Sequence, residues 1–117
     1  MKRKKESAFQ GQLIKELKDR YPECMVLKND PNYIQGIPDL TVLYGERWAA
    51  LECKRTANSS HRPNQDYYVN KMDNMGFAAF IFPENKEFVL NRLDNYLGRE
   101  QEDKDDMERP LASTKTG

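Results

Sequence analysis

Between Gly36 and Lys54 the chain reads Gly-Ile-Pro-Asp-Leu-Thr-Val-Leu-Tyr-Gly-Glu-Arg-Trp-Ala-Ala-Leu-Glu-Cys-Lys, two apolar runs at 40–44 and 48–51 on either side of Gly45-Glu46. A Gly-X pair between such runs signals a type II′ hairpin. A two-residue loop fixes the pairing: Tyr44 faces Arg47, Leu43 faces Trp48, Thr41 faces Ala50, and Asp39 faces Glu52. Side chains alternate along a strand, so Lys54 shares the face of Glu52. Directly opposed residues have Cβ atoms roughly 4.5 to 5.5 Å apart, and like charges so placed repel. Something positive is therefore expected between Asp39 and Glu52. One ammonium, that of Lys54, cannot neutralise two carboxylates, and a divalent cation with oxygen ligands suits the place better. A Glu inside Trp-Ala-Ala-Leu-Glu-Cys is expected to be buried, and a buried carboxylate needs partners. The competing reading is a hairpin whose Asp39 and Glu52 are solvated edge residues.

Pro38-Asp39 followed after a short hairpin by Glu52-Cys53-Lys54 resembles the motif of the PD-(D/E)XK nucleases, and Gly36-Ile37-Pro38-Asp39-Leu40 with the Glu-X-Lys is similar to the small VRR-NUC branch. The resemblance spans roughly residues 6–83. It implies an α/β, restriction-endonuclease-like core with Mg²⁺ or Mn²⁺ at Asp39 and Glu52, completed by the backbone carbonyl of Cys53. It implies that Lys54 positions or activates the attacking water. It also implies an acidic metal ligand on the first helix, here Glu6, and a glutamine projecting toward the site after the Glu-X-Lys strand, here Gln65. Taken alone, Glu6 reads equally as a complement to a helix N-terminal dipole, and Gln65 as a solvated residue on an exposed turn.

The remaining elements follow from periodicity. Phe9, Leu13, Leu17 and Tyr21 recur every four residues, with Ile14 beside them, which predicts an amphipathic helix over 6–21 ended by Pro22. Glu6 and Gln10 fall on its sheet-facing side. Residues 24–28 are a short apolar strand leading into the turn cluster Asn29-Asp30-Pro31-Asn32, whose polar side chains turn chemistry explains. Tyr33 and Gln35 follow in a loop beside the site, where they are expected to contact a substrate, and Gly36 marks a positive φ or a close approach of the backbone to that substrate. The segment 55–62 has no aliphatic side chain larger than Ala57 and reads as an exposed, mobile loop. Arg55 and Arg62 are its candidates for gripping a phosphate backbone, with Lys71 as a further contact. The one histidine, His61, reads as a surface residue. Pro63 suits the first turn of a second helix. That helix should reach Met75, with Tyr68, Met72 and Met75 as its apolar stripe and Gly76 as a left-handed cap. The unbroken apolar run 77–82 predicts a strand covered on both faces, hence a mixed central sheet with helices on each side. Phe88, Leu90, Leu93 and Leu97 predict a closing helix over 84–97.

The 117 residues are expected to form a single nuclease-like domain over 1–98 and a charged tail over 99–117, which is low in hydrophobic residues and predicted to be disordered. Formal net charge is zero, but residues 1–70 carry 12 Lys and Arg against 9 Asp and Glu, so the half with the hairpin is the basic one. Cys24 and Cys53 belong to no CxxC or Cys/His cluster and read as reduced thiols. No apolar run approaches the roughly 20 residues that span a bilayer, and a soluble, cytoplasmic protein with no membrane partner is expected. The family includes single-subunit phage proteins of this size, which extends the expectation to a phage protein in a bacterial host.

The expectation is thus an Mg²⁺- or Mn²⁺-dependent deoxyribonuclease, structure-specific for branched or junction DNA, since so small a domain has little surface for reading sequence. Symmetric incision of branched DNA would require a homodimer. The competing class is a non-catalytic, nuclease-derived module that binds DNA or protein. Loss of a metal ligand would distinguish it, and Asp39, Glu52 and Lys54 are all intact.

Overall fold

The computed structural model describes the backbone of residues 2–98 and the side chains of residues 7–98. The expected tail over 99–117 and the side chain of Glu6 lie outside the described residues. The order is α1 (Lys2–Arg20), β1 (Met25–Lys28), β2 (Leu40–Tyr44), β3 (Arg47–Cys53), α2 (Gln65–Met75), β4 (Ala78–Ile81) and α3 (Lys86–Leu97). The strands form one four-stranded mixed sheet in the order β1-β2-β3-β4, antiparallel except for the β3–β4 pair. The fold is α/β.

Alternation along β3 sorts the helices. Ala49, Leu51 and Cys53 point to one face, where they join Leu40 and Val42 of β2, Leu13 and Leu17 of α1, and Val89, Leu90, Leu93 and Leu97 of α3 in the main core. Trp48 and Ala50 point to the other face and meet Val69 and Met72 of α2 with Ala78 and Phe80 of β4. Helices therefore pack on both faces, and the odd-numbered side of β3 is the thicker. Because Glu52 and Lys54 follow Trp48 and Ala50 in the alternation, they belong to the α2 side. The apolar layer there is thin, so polar side chains can reach a common space.

The hairpin has the register that its loop length dictates. Tyr44 pairs with Arg47, Leu43 with Trp48, and Thr41 with Ala50. Gly45 takes φ +60°, while Glu46 stays out of the positive-φ region, the combination a type II′ turn needs.

Four details of the helices depart from the sequence reading. Pro63 is not in α2, which starts at Gln65, because Asn64 sits at φ 73° and breaks the helical path. Gly36, at φ +94°, packs so tightly on Asn64 that a Cβ there would lie 2.6 Å from the Asn64 Cβ. Gly36 takes the positive φ expected of it, and its close neighbour is the start of α2. Gly76 is not left-handed: its φ is −166°. It is small because an added Cβ would stand 2.9 Å from both the Trp48 ring and the Tyr96 hydroxyl. The inward stripe of α2 runs from buried Gln65 and Val69 to half-buried Met72, and the next step at helical spacing is Gly76, which leaves Met75 67 % exposed. Phe88 is likewise exposed, beside the Arg92 guanidinium, and Val89 takes its place in the α3 stripe.

Candidate active site

The β2–β3 ladder ends at the Leu40–Leu51 pair, and just beyond it two carboxylates accept backbone N–H groups from the facing segment. The Asp39 N–H donates to Glu52 Oε1 at 3.2 Å, and the Cys53 N–H donates to Asp39 Oδ2 at 2.9 Å. Each acid grips the other strand's backbone, so Asp39 and Glu52 lie side by side as the register requires. The Asp39 carbonyl in turn accepts the Asn29 N–H at 2.8 Å. The Asn29 side chain donates to the Pro38 carbonyl and to Thr41 Oγ1, fastening the loop that delivers Asp39.

Glu52 is 2 % exposed, Lys54 6 % and Gln65 8 %. Burial of this order requires a satisfied network, and the three side chains form one. Lys54 Nζ donates to Gln65 Oε1 at 2.7 Å and to the Ser60 carbonyl at 3.1 Å, and stands 3.7 Å from Glu52 Oε2. Gln65 Nε2 donates to that same Glu52 Oε2 at 2.8 Å. The Gln65 carbonyl also accepts the Arg62 N–H at 2.8 Å, tying the loop after β3 to the start of α2. No buried side-chain polar atom among the described residues lacks a partner.

These groups open onto a cleft of about 1120 Å³. Asp39, Glu52, Lys54, Gln65, Arg55 and Arg62 all line it, so the structure brings together six of the residues singled out from the sequence. Lys71 is not on its wall; the Lys71 ammonium lies over the Tyr67 ring, 6.0 Å from the centroid. Cys53 is buried behind the carboxylates. Ser7, Asn32 and Thr56 also line the cleft, although nothing in the sequence reading selects them. The Asn32 N–H donates to Asp30 Oδ1 at 2.8 Å, so the turn chemistry there is that of the Asp30 side chain. Ser7 lies one turn before Gln10, and the i, i+3 spacing of two polar residues on α1 is the one signal that points to it.

The loop over 55–62 is largely exposed, as expected, and is laced by its own hydrogen bonds. Ser59 Oγ accepts the Thr56 N–H at 3.0 Å, and the Ser59 N–H returns to the Thr56 carbonyl at 3.2 Å. Lys54 holds the loop at Ser60. His61 stacks on Phe80 at 4.2 Å, with Nδ1 2.7 Å from Asp66 Oδ1. That anchors a surface histidine away from the cleft.

Among the described residues, no group of three His, Cys, Asp or Glu comes together as a metal site. The pair Asp39 and Glu52 offers two hard carboxylates on one cleft wall, a donor chemistry that suits Mg²⁺ or Mn²⁺ in kind. Among the described residues, no helix is long and apolar enough to cross a membrane. No family model matches the chain, and neither curated proteins nor solved structures match it.

Proposed function

We propose that this chain is a metal-dependent nuclease that hydrolyses DNA phosphodiester bonds on a restriction-endonuclease-like core. One observation carries the reading: Asp39 just before β2, Glu52 near the end of β3, Lys54 just after it and Gln65 at the start of α2 converge by direct hydrogen bonds on the wall of a polar cleft. The three-stranded antiparallel stretch with a parallel fourth strand, helices on both faces, is compatible with such a core.

Asp39 and Glu52 are the residues that would hold Mg²⁺ or Mn²⁺, with the Cys53 carbonyl and Glu6 as the further ligands that the family resemblance implies. A bound ion of this kind supplies Lewis acidity to the phosphate and lowers the pKa of a water. The protein's own groups do the rest. Two of the three Lys54 N–H groups are committed, to Gln65 and Ser60, so the third is oriented by them. It can steady an attacking water or the charge that grows on the phosphoryl oxygens. Gln65 bridges that ammonium to Glu52 Oε2, with which the ammonium also makes an ion pair at 3.7 Å. Arg55 and Arg62, on the same wall, neutralise flanking phosphates. Acting on branched DNA by paired incisions would require two copies of the chain.

A second reading has its own observation. Asp39 Oδ2 and Glu52 Oε1 each accept a backbone N–H of the opposite strand, so the two acids also serve as the hairpin's fastening, and a non-catalytic nucleic-acid-binding module would keep them for that. Incubating the protein with Mg²⁺ or Mn²⁺ and a panel of linear, single-stranded, flapped, four-way and supercoiled DNAs, with matched RNAs, separates the two. Cleavage of any member, abolished by Asp39→Asn, supports the nuclease. Binding without cleavage under every metal condition favours the module.

A further inference from the structure

The loop over 30–37 has two sides. Pro31, Asn32, Gln35 and Gly36 line the polar cleft, whereas Asp30, Tyr33 and Ile34 line a separate hollow of about 400 Å³. Ile37 belongs to both, so the two spaces adjoin. The hollow is completed by Asn29 and Thr41 at the sheet and by Met72 of α2. Tyr33 is 83 % exposed on its rim. The main chain that carries it is folded into two turns, the Tyr33 N–H donating to the Asp30 carbonyl at 3.1 Å and the Ile37 N–H to the Ile34 carbonyl at 3.3 Å.

We propose that this hollow receives one unpaired nucleobase of the nucleic acid whose backbone lies in the cleft, stacked on Tyr33 over the apolar floor of Ile34, Ile37 and Met72. The inference rests on the reading of the cleft as a phosphodiester site. Charge sorts the two halves of a nucleotide between the two spaces. The cleft side carries Lys54, Arg55 and Arg62, and draws the phosphate. The hollow carries no Lys or Arg and has the Asp30 carboxylate on its wall, which repels a phosphate but not a base. A base has a π-face to offer any exposed aromatic ring, and aromatic stacking is the usual way a single strand is held without sequence preference. A base inside a duplex is already stacked and paired, so the hollow selects single strands, flaps or frayed ends. The substrate class is nucleic acid with an unpaired base next to the phosphate in the cleft.

The test is equilibrium binding of the full chain in EDTA, where cleavage cannot intervene, read by fluorescence anisotropy. The probes are a short single-stranded DNA, its duplex, and the same single strand made entirely of abasic sites. The wild type should prefer the base-bearing single strand over both. Tyr33→Ala should weaken that complex by about tenfold or more, with the slope against salt unchanged, and Tyr33→Trp should retain the preference. Equal binding of base-bearing and abasic strands, or no effect of Tyr33→Ala, overturns the base site while leaving the salt-dependent cleft reading intact. No binding to any probe overturns both. If Tyr33→Ala instead changes the sedimentation of the protein alone, the hollow is a contact between protein chains and the base site is wrong.

Discussion

Gln65 donates its side-chain amide to Glu52 Oε2 at 2.8 Å, joining the first residue of α2 to β3 across 13 positions of sequence. The same side chain turns its oxygen to Lys54 Nζ. Only one orientation of the amide works, because a flip would set its NH₂ against the ammonium and its oxygen against the carboxylate. Gln65→Ala should strip an acceptor from Lys54 and from the Arg62 N–H, and cost about 1–3 kcal/mol. Urea denaturation should show a lower midpoint at an unchanged m-value. An unshifted midpoint would mean that the amide is not holding the lysine.

Metal should be visible without any turnover. Two adjacent carboxylates repel until a cation joins them, so millimolar Mg²⁺ or Mn²⁺ should raise the melting temperature by ligand linkage. Asp39→Asn should abolish most of the rise. A wild type whose melting temperature ignores both ions would contradict the metal site.

Lys54 separates chemistry from binding. Its ammonium interacts with charge that is larger in the transition state than in the ground state, so its loss lowers turnover more than affinity. Lys54→Ala should still bind metal and DNA but cut on the order of 10² to 10³ more slowly, whereas Glu52→Gln should lose metal affinity as well. Single-turnover cleavage alongside metal titration measures both. Cleavage by Lys54→Ala at the wild-type rate would remove the residue from the mechanism.

Arg55 and Arg62 should act through phosphate neutralisation. Replacing both by Ala should weaken DNA binding and flatten the log–log salt dependence by about 0.9 for each phosphate no longer neutralised. A salt titration of affinity decides it, and an unchanged slope would place the grip elsewhere.

The far side of the sheet makes an independent prediction about pH. The Tyr21 hydroxyl donates to Asp94 Oδ1, and the Arg20 guanidinium pairs with both Asp94 oxygens at 2.9 and 2.8 Å. Burial first, and then the Asp94 hydrogen bond, push the Tyr21 pKa well above its ordinary value of 10.0. As pH passes about 10 the unfolded chain loses this proton while the folded one keeps it. The unfolded state then binds fewer protons, so stability falls with rising pH, and below that window the contribution is intact. Tyr21→Phe should start less stable by about 1 kcal/mol and lose less stability as pH rises from about 10 upward. Cys24, whose thiol burial also pushes up, is present in both proteins and cancels. Parallel decline of the two proteins in urea denaturation across this range would refute the assignment.

The hairpin is the most legible part of the chain, because a two-residue Gly-X loop admits one register, and a register settles which side chains share a face. That is why Asp39 beside Glu52, with Lys54 on the same side, can be read from spacing alone. The α1 stripe is legible for a similar local reason: Leu13, Leu17 and Tyr21 repeat at the period of a helix. Other features depend on contacts between distant segments. Gly76 is small because Trp48 and Tyr96 converge on it, and α2 begins two residues later than Pro63 suggests because Asn64, beside Gly36, takes φ 73°. Neither relationship leaves a trace in local sequence. Nor can periodicity decide whether Gln65 faces water or the site: it lies in the first turn of a helix, where either is ordinary. Its burial between Lys54 and Glu52 is a consequence of where α2 crosses β3, and that crossing is decided by tertiary packing, Val69 and Met72 against Trp48, Ala50, Ala78 and Phe80.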